Sequence, residues 1–372
     1  TYGFTDMTGI VIGPVRLPNS LYYYDDGSNH HGRIDEAIAD AIDAADPLVD
    51  FSPFDQDGDG FVDNFMVIFA GPDDSTNGDD DRDGDPFDAG AIWPHKSTIP
   101  SHSTDDGVSV SRYFTCAETC GLGTYAHEIA HNFGLPDLYD YGSDGTNSAG
   151  IGEWGLMGSG GYLKTSDGPN PAHLSAWAKQ EIGVLNPTLV DPSIDQSITL
   201  YPASTTAQAL KIPITSDEYY LIEFRSKSAS DYDAGLHSTG VLIWHIDEAI
   251  CASTNRVNDD ENRPCVRLIQ ADGNMDLDAG RYRGDAGDSW QEGSAFNSGS
   301  NPAARAYSGD PVDIQMTITE VTPSYAVVHF GSFTAWFFAI TAEPQDSNGD
   351  GFKNEILFTY DPDTDGSSEY IK

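Results

Sequence analysis

The segment HEIAHNFGLPD, residues 127–137, sets two histidines four positions apart with a glutamate beside the first. On a helix of about 3.6 residues per turn, His127 and His131 fall on one side, one turn apart. Imidazoles so placed can hold a Zn²⁺ at about 2.0–2.1 Å each, while Glu128 reaches a water on the ion rather than the ion itself. Gly134 can take the positive φ that stops the helix, and Pro136 prevents its resumption. The reversal can bring Asp137 back under the same point as a third, oxygen ligand. Three protein ligands leave one position open, as a catalytic zinc requires. The expected chemistry is peptide-bond hydrolysis, with the metal acidifying water and polarising the carbonyl and Glu128 acting as general base. A bare HExxH can equally be the solvated edge of a helix. The longer pattern favours the metal, because Gly134 and Asp137 each have a geometric task. Glu153, in GEWGLM, is the rival for the third ligand position.

The elements that must position these groups can be read from periodicity. Residues 122–133 read as a helix whose Leu122, Ala126, Ile129 and Phe133 form an apolar stripe for packing on a sheet, with the histidines facing away. Upstream, Ile34, Ala37, Ile38, Ile42 and Ala45 recur at helical spacing until Pro47. A short apolar run, GIVIG (9–13), precedes that helix, and FVDNFMVIFAG (61–71) and GAIWPHK (90–96) read as strands, so that a strand–helix–strand–helix order is expected up to and including the motif, in a mixed α/β layer. From about residue 190 the pattern becomes short alternating or apolar runs between polar turns: QSITLYPA, ALKIPI, EYYLIEFRS, GVLIWHID, CVRLIQAD, IQMTITEV and YAVVHFG. That is β-rich. Residues 333–372 are acidic and low in core content, and read as a calcium-binding tail, the cut end of a longer module.

DQDGDGFVD places Asp55, Asp57, Asp59 and Asp63 at positions 1, 3, 5 and 9 of an EF-hand-like loop, with Gly60 at the turn and the Phe61 carbonyl at position 7. Position 12 is Met66, so the bidentate acid of a full EF-hand is missing. DSNGDGFKNE repeats the idea with Asp346, Asn348, Asp350, Phe352 and Glu355, and DDDRDGD (79–85) does so more weakly. A solvated acidic turn is the bland alternative for each.

Among 372 residues, 18 Lys and Arg stand against 60 Asp and Glu, a net charge of −42. Such a surface repels nucleic acid and anionic membranes, and fits calcium ligation or solubility in a saline medium. No run of about 18 apolar residues exists to span a bilayer. The four cysteines form two local pairs, Cys116–Cys120 and Cys251–Cys265, expected as two disulfide loops of an oxidising compartment rather than a zinc site. The start at Thr1, with no charged-then-apolar leader, reads as the mature part of a secreted precursor. The expected partners are protein or peptide substrates, and the expected state is a monomer.

HExxHxxGxxD resembles the metzincin zinc signature, with Asp where most members have a third His. HEIAHNFGLPDLYD with GEWGLMGSGGY and PAHLSAWAKQEIGVL is similar to the immune inhibitor A family of secreted bacterial metallopeptidases. The likeness extends to DFSPFDQDGDGFVDNFMVIFAG and AIWPHK before the motif, and to YYLIEFRS, GLHSTGVLIWHID and IQADGNMDL after it. It covers most of residues 50–300; the cysteine pairs and the tail lie outside it. The resemblance implies that His127, His131 and Asp137 bind zinc, that Glu128 is the base, and that Met157 forms a tight turn beneath the metal. A methionine there offers a polarisable apolar floor that does not compete as a ligand. Tyr162 lies farther from Met157 than the tyrosine some metzincins use, and is a candidate donor to the oxyanion against ordinary packing. His95 and His173 are lone histidines, more often structural. The implied architecture is α/β (α+β): a metzincin-like zinc-peptidase catalytic domain over residues 1–190 and a β-rich, sandwich-like region over 191–332 able to pack as part of the catalytic unit, with the tail after it. The competing function is a calcium-dependent surface or adhesion protein on a peptidase-like scaffold; an intact Glu128 counts against it.

Overall fold

The computed structural model describes residues 9–24, 33–71, 92–142, 147–163, 170–253 and 256–331, and beyond them the strands at 341–345, 355–360 and 369–371. Helix α1 (Ile34–Ala45) buries the expected stripe together with Ala41. At Pro47 it gives way to a 3₁₀ turn over Asp46–Leu48, since proline cannot continue the hydrogen-bond ladder. Three strands follow: β1 (Met66–Phe69), β2 (His95–Ser103) and β3 (Ser109–Ala117). β3 is central, parallel to β1 with Met66 opposite Phe114, and antiparallel to β2 with His95 opposite Thr115. Among the described residues, a single helical turn at Leu21–Tyr24 and then α1 therefore precede the three strands, without alternation. The first strand begins only at Met66, because the residues before it coil into the acidic loop. The second begins at His95 and runs on to Ser103. The central strand, SVSRYFTCA, mixes Ser, Arg and Thr with its apolar residues and shows no clean period, although its second half is buried.

Helix α2 (Leu122–Asn132) leaves β3 through a short turn, and Tyr125 Oη returns to the Ala117 carbonyl at 2.7 Å. Its packing corrects the expected stripe. Leu122 and Phe133 are 47% and 45% exposed, whereas Gly123, Thr124, Glu128 and Ala130 are buried. The helix turns Gly123, Thr124, Glu128 and Ala130 inward, because it packs against the glycine-rich turn at Gly161 as well as against the sheet. Helix α3 (Ala176–Glu181) starts at Ser175, whose hydroxyl accepts the Ala178 N–H at 3.3 Å.

All seven runs expected as strands after residue 190 appear, with two short additions: β4 (Thr188–Leu189), β5 (Gln196–Leu200), β6 (Leu210–Pro213), β7 (Glu218–Arg225), β8 (Gly240–Asp247), β9 (Val266–Leu268), β10 (Ala295–Asn297), β11 (Gln315–Val321) and β12 (Ala326–Phe330). They form a five-stranded sheet, β4-β6-β7-β8-β9, and a four-stranded sheet, β10-β11-β12-β5. Every residue of β7 and β8 is buried. Alternation explains how. Tyr220, Ile222, Phe224, Val241 and Ile243 face the second sheet with Phe296, Met316 and Phe330. Leu221, Leu242, Trp244 and Ile246 face the other way, against Leu138, Trp154, Met157 and Trp177. One core thus runs across residue 190, and residues up to Phe330 form one compact unit. Each large apolar side chain enclosed there contributes about 1.5–3 kcal/mol.

A disulfide joins Cys251 to Cys265 just ahead of β9, with Cα atoms 4.8 Å apart. Closing a loop of that size is worth about 3 kcal/mol. The expected Cys116–Cys120 bridge is absent. Cys116 is fully buried on β3, while the turn closed by the Cys120 N–H on the Ala117 carbonyl carries Cys120 to a half-buried position. The second compact unit, Gly331–Lys372, is an antiparallel sheet of β13 (Thr341–Gln345), β14 (Glu355–Tyr360) and β15 (Glu369–Ile371). Of the second acidic loop, Asp346, Asn348, Asp350 and Phe352 lie outside the described residues, as does the segment 79–85, and Glu355 is described only as the first position of β14.

Candidate metal centre

The α2 helix ends at Asn132, and Gly134 takes φ +86°, with its N–H on the His131 carbonyl at 3.0 Å. The chain then turns back as expected. His127 Nε2 lies 2.9 Å from Asp137 Oδ1, and His131 Nε2 lies 3.4 Å from the same oxygen. These spacings bracket the roughly 3.3 Å between ligand atoms of a tetrahedral zinc with bonds of about 2.0–2.1 Å. The ligand atoms of the three residues all lie within 4.8 Å of one another, and Glu153 is not among them. Glu153 instead faces His237 Nε2 at 3.0 Å.

The outer nitrogens fix the chemistry of the inner ones. His127 Nδ1 is 2.8 Å from the Leu156 carbonyl, and His131 Nδ1 is 2.7 Å from the Leu135 carbonyl. A carbonyl only accepts, so both Nδ1 atoms carry the proton in either charge state, and each neutral ring points a bare Nε2 at Asp137. Lone pairs facing a buried carboxylate at these distances repel unless a cation lies between. The donor set therefore fits a metal ion. Without one, a proton takes the place: although burial opposes it, the bond from Asp137 and the charges of Glu128 and Asp137 raise the His127 pKa to about 9. Asp137 is pulled below the usual carboxylate range, its burial outweighed by the two imidazoles.

Four segments hold this arrangement. The Met157 carbonyl accepts the Leu138 N–H at 2.7 Å, so the turn that supports His127 through Leu156 also straps the chain beside Asp137. Met157 itself is fully buried in the core below. From β2, the Lys96 main-chain N–H bonds Glu128; burial raises the Glu128 pKa, and the two histidines pull it back. At Gly123 a methyl group would meet the Gly161 carbonyl at 2.1 Å, which is why α2 and the GSGGY turn can touch. Behind the site, buried Arg225 donates to the Trp154 carbonyl at 2.9 Å and pairs with buried Asp233.

These segments open onto a cleft of about 690 Å³ lined by His127, Glu128, Trp93, Tyr139, Tyr162 and Arg283, among others. Tyr162 is half-buried there, on the 3₁₀ turn Gly160–Tyr162. His95 bridges the Trp93 carbonyl and Tyr113 Oη, and burial lowers the pKa of His173 to about 3 behind the site; neither is placed at the centre. Two contributors escape sequence reasoning. Tyr141 Oη donates a short hydrogen bond to Asp137 Oδ2, and the Tyr139 ring stacks on His127 with centroids 6.3 Å apart. Their only signal is position, two and four residues after Asp137.

In the acidic loop, Asp55, Asp57 and Asp63 converge within the same 4.8 Å limit. Asp55 accepts the N–H groups of Gly58, Asp59 and Gly60, with Gly58 and Gly60 at positive φ. Asp59, expected as a ligand, does not join them; its carboxylate turns to the Phe61 N–H at 2.8 Å. The loop is fastened to the start of β3 by the Ser109 N–H on the Gly60 carbonyl at 2.9 Å.

A helix-borne histidine pair is returned by a glycine turn onto an aspartate, over a cleft that holds an adjacent glutamate, and the three converging side chains form a group able to hold a metal ion. Residues 29–183 match the family model described as immune inhibitor A peptidase M6, catalytic domain, which supports the likeness to that family read from the motifs. Among curated relatives, the chain is 25% identical over 204 residues to the pre-pro-metalloprotease PrtV of Vibrio cholerae serotype O1, covering 47% of this chain and 22% of the relative. It is 30% identical over 173 residues to immune inhibitor A of Bacillus thuringiensis subsp. alesti, covering 40% and 24%. The chain thus spans less than a quarter of the length of either relative. No helix among the described residues is long and apolar enough to cross a membrane.

Proposed function

We propose that the chain is a zinc-dependent endopeptidase, secreted and matured from a precursor, with Glu128 as general base and calcium in the Asp55–Asp57–Asp63 loop supporting stability. The observation that carries the zinc reading is the convergence of two Nδ1-anchored imidazoles on buried Asp137, a donor set that needs a cation. His127, His131 and Asp137 would hold the ion. When bound, Zn²⁺ supplies a Lewis acid that lowers the pKa of water to about 7 and polarises the scissile carbonyl.

The chain's own residues do the rest. Glu128, in the cleft wall and held by the Lys96 N–H, takes the proton from the attacking water and delivers it to the leaving amine. Tyr162, on the same wall, donates to the oxygen that gains charge. Tyr141 keeps Asp137 oriented, and Trp93 and Tyr139 give the substrate apolar surface. A binding scaffold of the adhesion type has no use for a base in such a cleft, and nothing in the site favours that reading.

Replacing Glu128 with Gln tests the assignment. The variant is expected to keep stoichiometric zinc and lose casein hydrolysis by about 10²–10⁴-fold. Phenanthroline is expected to abolish wild-type turnover. Casein cleavage by E128Q at the wild-type rate would refute the mechanism.

A further inference from the structure

Arg283 lines the cleft beside His127 and Glu128 with an exposed side chain. Arg281 is paired with Asp276 and Arg267 with Asp278, each at 2.7 Å, within the same acid-rich stretch of chain. Arg283 has no carboxylate or hydrogen-bond acceptor for its guanidinium among the described residues, yet it lines the cleft that holds His127 and Glu128. The other charged groups on that wall are occupied: Glu153 faces His237, and Asp140 accepts the N–H groups of Gly142 and Ser148.

Its backbone, by contrast, is clamped. The Arg283 carbonyl accepts the Glu153 N–H at 2.6 Å. A methyl group on Gly152 would sit 2.2 Å from that carbonyl, and one on Gly284, at φ +135°, would sit 2.9–3.0 Å from His237 and Trp154. The loop is thus seated on the 3₁₀ turn Gly152–Trp154 by contacts that only glycine permits. A cation on a fixed backbone, solvated and unpaired, is preorganised for an incoming anion. The overall charge of −42 does not cancel it, because at physiological ionic strength charges beyond about 8 Å are largely screened.

Resting on the peptidase reading, we infer that Arg283 is a specificity-determining residue that selects peptides carrying a carboxylate beside the scissile bond. Guanidinium and carboxylate pair through two parallel N–H···O bonds, a geometry an amide cannot match in charge. The carboxylate can come from an Asp or Glu side chain or from the free end of a short peptide, and the assay separates the two.

The test uses the full chain loaded with zinc and quenched fluorescent peptides in Glu/Gln pairs at each position flanking the cut, each made with a free or an amidated C-terminus. Wild type is expected to prefer Glu over Gln about tenfold in kcat/KM at one position, with the preference shrinking as salt rises. R283Q should remove the preference, R283K restore part of it, and R283E favour Lys at that position. R281Q, which alters a neighbour already paired, should keep it. A preference confined to free C-termini assigns the carboxylate to the chain end. The same pairs are also bound to the E128Q chain and followed by fluorescence anisotropy. Discrimination in binding without hydrolysis by wild type would overturn the peptidase reading and leave Arg283's role standing. Equal treatment of Glu and Gln, and of acid and amide, in both assays would overturn the role of Arg283, as would discrimination that survives R283E.

Discussion

Asp137→Asn isolates what the proposed third ligand contributes. The substitution keeps an oxygen and the side-chain shape, and removes one negative charge from a site whose Oδ1 lies 2.9 and 3.4 Å from the two Nε2 atoms. At an effective dielectric of about 20, a carboxylate charge about 4 Å from a unit cation is worth about 4 kcal/mol, a floor for a divalent ion held closer. At 1.4 kcal/mol per tenfold, zinc affinity should fall by at least about 10³-fold. Glu153→Gln is the paired control. Glu153 faces His237 and lies outside the ligand group, so its loss should change zinc affinity by less than about threefold. Competition titration against a chromophoric chelator reads both affinities, and circular dichroism checks that each variant is folded. Zinc binding by D137N at wild-type strength, or a loss on E153Q matching that predicted for D137N, would refute the ligand assignment.

Burial among Asp285 and Asp272 pushes the Asp288 pKa up from 3.8 to about 6. Its folded pKa exceeds the unfolded one, so this group costs stability increasingly as pH rises from about 3.8 to about 6, and the cost stays constant above that. The gap is worth roughly 3 kcal/mol. D288N, whose amide oxygen can still accept from Trp154 Nε1 and the Asp285 N–H, should therefore raise the denaturant midpoint at pH 7.5 and change it little at pH 4. Gly123→Ala drives a methyl group into the Gly161 carbonyl at 2.1 Å, and should cost about 1–3 kcal/mol while lowering kcat/KM, since the displaced turn carries Tyr162. Both are read from melting and turnover of one preparation. Removing calcium with EGTA should lower the melting temperature by a few degrees, and D55A should abolish that response; an EGTA-insensitive wild type would end the calcium reading.

Several features were legible in the sequence because they depend on local spacing. The stripe of α1, the stop at Pro47, the positive φ of Gly134 and the seven later strands follow from periods of 3.6 and 2 and from the backbone limits of proline and glycine. The 127–137 segment likewise carries all three converging side chains within eleven residues, so chain geometry alone could bring them together. What sequence could not decide depended on which surfaces meet. α2 buries Gly123 and Ala130 and leaves Leu122 and Phe133 exposed, because the GSGGY turn, almost 40 residues downstream, packs against it. β7 and β8 are buried on both faces, so the β-rich region, which sequence left either separate or part of the preceding unit, shares its core with Leu138, Trp154 and Met157. Sequence favoured Asp137, aimed by the Gly134 turn, and kept Glu153 as its rival; only tertiary packing sets Glu153 against His237 and Asp137 against the imidazoles. Local covalent geometry fixes what a short segment can do, but burial and pairing are set by contacts between residues far apart in the chain, and these exist only once the chain has folded.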